Sequence, residues 1–427
     1  FNWIIGGFYN KFELVGSSTE FTPGYSEFLG LTPGADLEYF SEQVEDLTES
    51  AIYGEIGYDI TDRLSVTVGG RYYEYELDTF FLESFPIGDP DFVPRTLDQI
   101  ADLELEPNQS DDGFLSKFNI SYDLTDDALI YFTRSEGYRI GESNGLADCP
   151  AFDPDADQFS CAYGPGEVFN ENGDVTQRDE REYGPDTTTN YEIGAKTTLL
   201  DGSLTLNGAV YFIEWTDPQL SSATIVAASP ITINADGAEA KGVEISADWQ
   251  ATENFRIRGS YSHTEAELTE PVPDLVRTIP APTEADPNPG FPNAFEDGVA
   301  GDRLPGSPED QFSFFATYNQ PLSGSGEIAY NVGYSWQGDV LTSAGGRGGF
   351  PTLDSFGVLN GSIVYDAGNW SATLYANNLL DEFYETGVRN NSRFNQVQSG
   401  ANLRRHYSTV GAPRSIGIRF KWDIWDK

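Results

Sequence analysis

Apolar and polar residues alternate in short runs along most of this chain. That period of two places successive side chains on opposite faces of an extended strand. Near the C-terminus Ile416, Ile418, Phe420 and Trp422 fall on one face, with Ser415, Gly417, Arg419 and Lys421 on the other. Trp370, Leu374 and Ala376 alternate with Ser371, Thr373 and Tyr375. Upstream, Leu64, Val66, Val68 and Tyr72 alternate with Ser65, Thr67, Gly69 and Arg71. Leu204, Leu206, Val210 and Phe212 do the same with Thr205, Asn207, Ala209 and Tyr211. The pattern predicts about fourteen strands, at 1–9, 50–61, 63–77, 113–124, 127–137, 189–200, 203–216, 238–250, 254–266, 309–320, 325–337, 353–366, 369–378 and 413–424.

The connections between these strands alternate in length. Six are short and turn-like, at 61–63, 125–127, 201–203, 251–254, 322–326 and 366–369. Seven are longer, near 10–49, 78–112, 138–188, 217–237, 267–308, 338–352 and 379–412. A soluble sandwich has no reason to sort its loops this way, whereas an outer-membrane barrel puts short turns on the periplasmic side and long loops outside. The expected fold is therefore all-β, an antiparallel transmembrane β-barrel of the outer-membrane type.

Composition changes that picture little. No run approaches the length of apolar residues that a membrane helix needs, but a spanning strand needs only about 9–11 residues with alternate ones facing lipid. The mean hydropathy of −0.40 is compatible with either situation. Aromatic residues gather at strand ends: Tyr72, Tyr73, Tyr75, Trp215, Trp249, Trp336, Trp370 and Trp422. Such rings are expected at the two bilayer interfaces.

Charge changes it more. The formal net charge of −45 excludes nucleic acid as a partner, because phosphate binding needs clustered Lys and Arg. Residues 78–112, 142–187 and 267–308 carry 10, 12 and 8 acidic side chains against 1, 2 and 2 basic ones. The acidity is thus concentrated in loops, where it stays hydrated; an acidic vestibule that draws in cationic or metal-bearing ligands is the functional alternative. Arg71, Arg139, Lys196 and Arg419 lie on polar strand faces and are expected to pair with interior carboxylates.

Candidate chemistry is sparse. Cys149 and Cys161 form a close pair in an Asp- and Gly-rich segment and read as a loop-closing disulfide of an exported protein, a metal pair being the weaker reading. The two histidines, His263 and His406, sit in unrelated contexts, and no nucleophile elbow or phosphate loop occurs. No catalytic constellation is expected. Asp153, Asp155 and Asp157, then Asn170, Asn172 and Asp174, offer oxygens at alternate positions, a spacing that suits Ca²⁺. Both runs lack the Gly and distal Glu of the complete loop, so solvated loop side chains are the expected reading and Ca²⁺ the alternative.

Several motifs resemble the barrel of TonB-dependent receptors. Asn378-Leu379-Leu380-Asp381-Glu382-Phe383-Tyr384 is similar to the family's Asn-Leu-Phe-Asp-x-x-Tyr element. Gly411-Ala412-Pro413-Arg414 and the final alternating strand resemble its ending, although Asp426 and Lys427 follow Trp425 where the family ends on an aromatic residue. Tyr131 to Gly141 with Asn144, Asn190 to Lys196, Lys241 to Glu244, and Gly301 to Pro305 with Pro308 and Phe312 resemble four further family elements in the family order.

The resemblance implies a barrel of about 22 strands plugged by an N-terminal globular domain. On that reading residues 1–427 are part of such a barrel, with the plug and roughly the first third of the strands missing. It also implies energised uptake of a scarce solute, such as a ferric siderophore, across the bacterial outer membrane. The partners would be outer-membrane lipid and lipopolysaccharide, the TonB complex acting through the plug, and the small-molecule ligand. Two alternatives stay open: a passive porin-like or adhesin-type barrel, and a soluble secreted β-protein such as a polysaccharide-binding sandwich. The ligand-contacting residues are not legible.

Overall fold

The computed structural model describes residues 1–84, 86–103, 109–149, 161–226, 229–278, 294–324, 326–390 and 406–423. Fourteen strands join in one antiparallel sheet: β1 (Asn2–Phe21), β2 (Leu37–Asp59), β3 (Leu64–Ser84), β4 (Gln109–Thr125), β5 (Ala128–Arg139), β6 (Asp186–Leu199) and β7 (Leu204–Thr216). They continue with β8 (Gly237–Thr252), β9 (Phe255–Leu268), β10 (Asp310–Pro321), β11 (Glu327–Gln337), β12 (Phe356–Asp366), β13 (Trp370–Asn377) and β14 (Ser415–Trp422). Each strand pairs with its sequence neighbours, so the order is a plain up-and-down meander. Among the described residues β1 and β14 do not pair with each other. No described helix is long and apolar enough to cross a membrane, which leaves crossing by strands untouched.

Register explains why the alternation reads so clearly. Pairs such as Ile130↔Ala195, Phe132↔Ile193, Val210↔Val243, Ile363↔Leu374 and Leu374↔Ile418 carry one apolar face around the outside. Ile416 and Ile418 are 65% and 78% exposed there, as hydrocarbon-facing side chains must be when no lipid surrounds them. The opposite face is polar and lines a lumen. At five cross-strand pairs on that face a tyrosine ring lies flat over a glycine: Tyr53 on Gly6, Tyr73 on Gly113, Tyr131 on Gly194, Tyr211 on Gly242 and Tyr375 on Gly417. A Cβ at any of these glycines would sit 2.4–2.6 Å from the ring. Only the missing side chain lets the tyrosines hug the wall and keep the lumen open.

The first three strands are much longer than their alternation suggests, at 20, 23 and 21 residues against 8 each for β13 and β14. Crossing a bilayer takes about 9–11 residues, so the upper halves of β1–β3 project beyond the hydrocarbon. There both faces meet water or other protein, so sequences such as Asn10–Phe21 lose their two-fold contrast and read as loop. The aromatic belt also needs correction. Tyr73 and Tyr75 point inward and are buried with Leu77 against Tyr138 and Ile140. Trp215 is packed among the loops, with its indole N–H donating to Asp186. Tyr72, Trp249 and Trp422 do lie exposed on the outer face.

Candidate functional site

The long loops stand together at one end of the barrel and share a hydrophobic core of their own. Ile231 and Ile233 from one loop, Leu268 at the end of β9, Val272, Leu275 and Leu304 from the next, and Ala344 from a third are buried together. Leu146 and Phe350 pack against them. Short strand pairs stiffen the segments: Gln219–Ala223 with Pro230–Asn234, and Val272–Arg277 with Phe295–Gly298.

Two buried charges hold this cap together. Arg178, in the loop between β5 and β6, donates to Ser222 Oγ (2.7 Å) and to the carbonyls of Ala223 (2.5 Å) and Asp274, and its guanidinium lies over the Phe295 ring, 5.2 Å from its centre. Glu180, with no exposed surface, accepts the backbone N–H of Ile225 (2.8 Å) and Tyr163 (3.2 Å) and faces Arg178 at 3.5 Å. Burial pushes the Glu180 carboxyl up, against the pull of those N–H groups and of Arg178. Burial likewise pushes Arg178 down, yet a guanidinium starts so high that it stays charged. One residue pair therefore ties three loops into one body.

Further ties are made by carboxamides and by ion pairs. The Asn144 side chain donates to the Glu180 and Thr232 carbonyls and accepts the Thr232 N–H. Asp186, almost fully buried, accepts from Arg139, the Trp215 indole and the Gln219 N–H. Asp302 receives Arg347 (2.5 and 2.9 Å) and the Val299 N–H (2.9 Å). Burial raises the Asp302 carboxyl, but Arg347 and the Val299 N–H outweigh it and hold the group below its ordinary value. Arg95, Arg181 and Arg303 are each matched to carboxylates as well: Glu42, Asp148 with Glu167, and Glu309 with Asp339.

Beneath the cap the lumen carries an aromatic and charged cluster. Glu49 accepts from Arg71 (2.9 Å) and from the Tyr138 hydroxyl (2.8 Å). Tyr138 stacks on Tyr73 at 3.6 Å, and Arg71 sits 5.1 Å over the Phe8 ring. Lower down, a cavity of about 640 Å³ is bordered by Tyr131, Glu192, Lys196, Asn207, Glu244 and Gln311. Of the four cations expected to pair with interior carboxylates, Arg71 and Arg139 do so; Lys196 and Arg419 instead lie over the Tyr131 and Tyr375 rings. Sequence reading missed Arg178, Glu180, Glu49 and Tyr138, whose partners are far away in the chain.

Cys149 and Cys161 are joined by a disulfide and buried beside Tyr163. Asp153, Asp155 and Asp157 lie outside the described residues. The Asn170 side-chain oxygen accepts the N–H groups of Asn172 and Asp174, and its amide donates to Asp174, so this run closes a turn on itself.

The sequence profile described as TonB dependent receptor-like, beta-barrel, matches residues 1–379. The chain belongs to the TonB-dependent receptor family. It is therefore a β-barrel of the bacterial outer membrane. The chain is similar to the ferric-pyoverdine 358 receptor of Pseudomonas putida, 26% identical over 245 residues, which cover 56% of this chain and 24% of that protein. Among solved structures it resembles the ferric yersiniabactin uptake receptor FyuA of Yersinia pestis, with a TM-score of 0.67 at 16% identity over 99% of this chain and 51% of that one. It also resembles the siderophore receptor PiuA of Acinetobacter baumannii, with a TM-score of 0.56 at 15% identity over 98% and 52%. At these identities the two structures speak for the fold alone, and the chain spans about a quarter to a half of the length of these relatives.

Proposed function

We propose that this chain forms wall and roof of a receptor that takes up a ferric siderophore or another iron complex. The ligand binds under the loop cap, against the Glu49–Arg71–Tyr138 cluster, and passes down the lumen. The observation that carries the reading is a preassembled, internally cored cap above a polar lumen in a chain of this family. The relative named for ferric pyoverdine supports the choice of an iron complex. Energy reaches the site through the TonB complex and a plug segment that belongs to the rest of the receptor. Outer-membrane lipid and lipopolysaccharide cover the apolar outer face. The Cys149–Cys161 bond fastens one cap loop, and maleimide labelling of unreduced, denatured protein is expected to find no free thiol.

The test is uptake. Iron-starved cells carrying the full-length gene should accumulate radio-iron from at least one chelator and lose that uptake on deletion of the gene. Equal uptake in both strains across a broad chelator panel would contradict the reading.

A further inference from the structure

The apolar outer face carries a groove of about 630 Å³ between β8 and β11, floored by Ala247 and Gly259 and walled by Ile245, Phe312, Phe314 and Tyr334. Strand alternation puts these residues on the same face as Val210 and Val243, so the groove opens to the exterior and not to the lumen. Ala247 lies opposite Gly259, and a Cβ on Gly259 would meet only the Ser313 carbonyl, at 3.4 Å. The far wall is fixed: Phe312 stacks on Trp336 and tilts against Tyr334, both at 5.7 Å. Polar rows begin directly above. His263 and Asp310 form the next outward pair after Tyr261 and Phe312, about 7 Å farther toward the long loops. Lys241 with Glu265 follows, then Glu239 with Glu267. Lys241 Nζ lies 3.2 Å from Glu265 and 3.7 Å from Glu267, and His263 sits between Asp310 (2.9 Å) and Glu265 (3.5 Å).

A membrane-crossing strand takes about 9–11 residues, and the run from Phe255 at the short turn to His263 has that length. The groove therefore faces the outer half of the bilayer, and the charged rows stand at headgroup level. Four carboxylates there face two cationic side chains, and all six are part-exposed. That surplus of negative charge repels a bare phosphate. A divalent cation reverses the sign, because it takes oxygen ligands from carboxylate and phosphate together. Among the described residues no three metal-ligating side chains converge closely enough to hold such an ion alone, so a cation at this rim needs the phosphate oxygens as well. We propose that the β8–β11 groove seats one acyl chain of lipopolysaccharide, whose phosphate is bridged by a divalent cation to Glu265, Glu267 and Asp310. The proposal gives a place to the lipopolysaccharide that the proposed function sets on the outer face. It rests on the membrane position of that face and not on the transported solute.

The test uses the full-length receptor, purified in detergent and stripped of lipid, with bis-phosphorylated lipid A as the probe and native mass spectrometry as the readout. In Mg²⁺ the wild type should hold lipid A, and EDTA should lower the bound fraction about ten-fold. Gly259→Phe fills the groove and should lower binding in Mg²⁺ about ten-fold, because a chain already in an apolar phase gains only the fit of the groove. Glu265→Gln combined with Glu267→Gln should lower it as far and leave the remainder insensitive to EDTA. Ile363→Phe, on the outer face of β12, should stay within about two-fold of wild type. Phosphatidylethanolamine, which brings its own ammonium group, should bind less than lipid A at the same concentration. Heat-modifiable migration on gels establishes that each variant is folded. Equal binding by wild type, Gly259→Phe and the double variant, binding untouched by EDTA, or phosphatidylethanolamine held as well as lipid A would overturn the proposal. Radio-iron uptake plays no part in this readout, so its failure and the failure of the transport reading are distinguishable.

Discussion

In the wall, Ile418 is 78% exposed and each strand relies on its backbone ladder; in the cap, Glu180 is wholly buried and held by Tyr163 and Arg178 of its own loop and by Ile225 of the next. The wall has no core of its own between strands, because one face is meant for hydrocarbon and the other for the lumen. Its stability comes from the backbone hydrogen bonds between neighbouring strands, which satisfy polar groups where water is absent. The cap stands in water and behaves like a small globular domain, with an apolar core and a few buried polar ties. The difference divides the molecule in two: the wall spans the membrane, while the cap is a separately cored body that, on the proposed function, presents a fixed surface to the ligand.

The largest expected effect comes from breaking the cap's central tie. Arg178→Ala leaves Glu180 buried without its cation and should destabilise the cap by about 3–5 kcal/mol. Limited proteolysis should then cleave the loops between β5 and β6, β7 and β8, and β9 and β10, while the barrel still shows heat-modifiable migration. Unchanged cleavage would remove the pair from its role.

Next comes the wall. Ile418→Arg places a charge in hydrocarbon and should cost about 2–4 kcal/mol near the midplane. Ser371→Arg, on the luminal face of the adjacent strand, should cost much less. Refolding titrations into lipid vesicles compare them, and equal costs would mean the faces are assigned wrongly.

A smaller effect tests the tyrosine–glycine pairs. Gly194→Ala sets a Cβ 2.4 Å from the Tyr131 ring, an overpacking worth about 1–3 kcal/mol. Combining it with Tyr131→Ala should recover part of the loss in the same titration. Strict additivity would contradict the contact.

The smallest concerns pH and only the cap. Asp302 is held below its ordinary value in the folded state, so its pairing with Arg347 contributes fully above the ordinary aspartate range. That contribution is lost as pH falls through the depressed folded value. Acidification should loosen the Asp302–Arg347 junction before the wall responds, and Asp302→Asn should abolish that step. Protease sensitivity of the loop between β11 and β12 reads it.

The same contrast explains what could be read from the sequence. Wall strands such as Ser415–Trp422 are legible because membrane and lumen impose opposite demands on alternate residues. Above the bilayer that constraint ends, so the upper part of β1 and β2 reads as loop. The cap is illegible for another reason. Arg178 meets Asp274 across 96 residues and Asn144 meets Thr232 across 88, and nothing local in the Arg178–Glu182 charge run announces those partners. Trp215 misleads in the same way: at a strand end it suggests an interface, but Asp186 draws it into the cap.

Amide hydrogen exchange on the full-length receptor in lipid nanodiscs tests most directly whether the cap is one preassembled body. The loops between β5 and β6, β7 and β8, and β9 and β10 should share one opening free energy without ligand and lose protection together in Arg178→Ala. Three unrelated exchange rates in the wild type, with Arg178→Ala affecting only its own loop, would contradict the account.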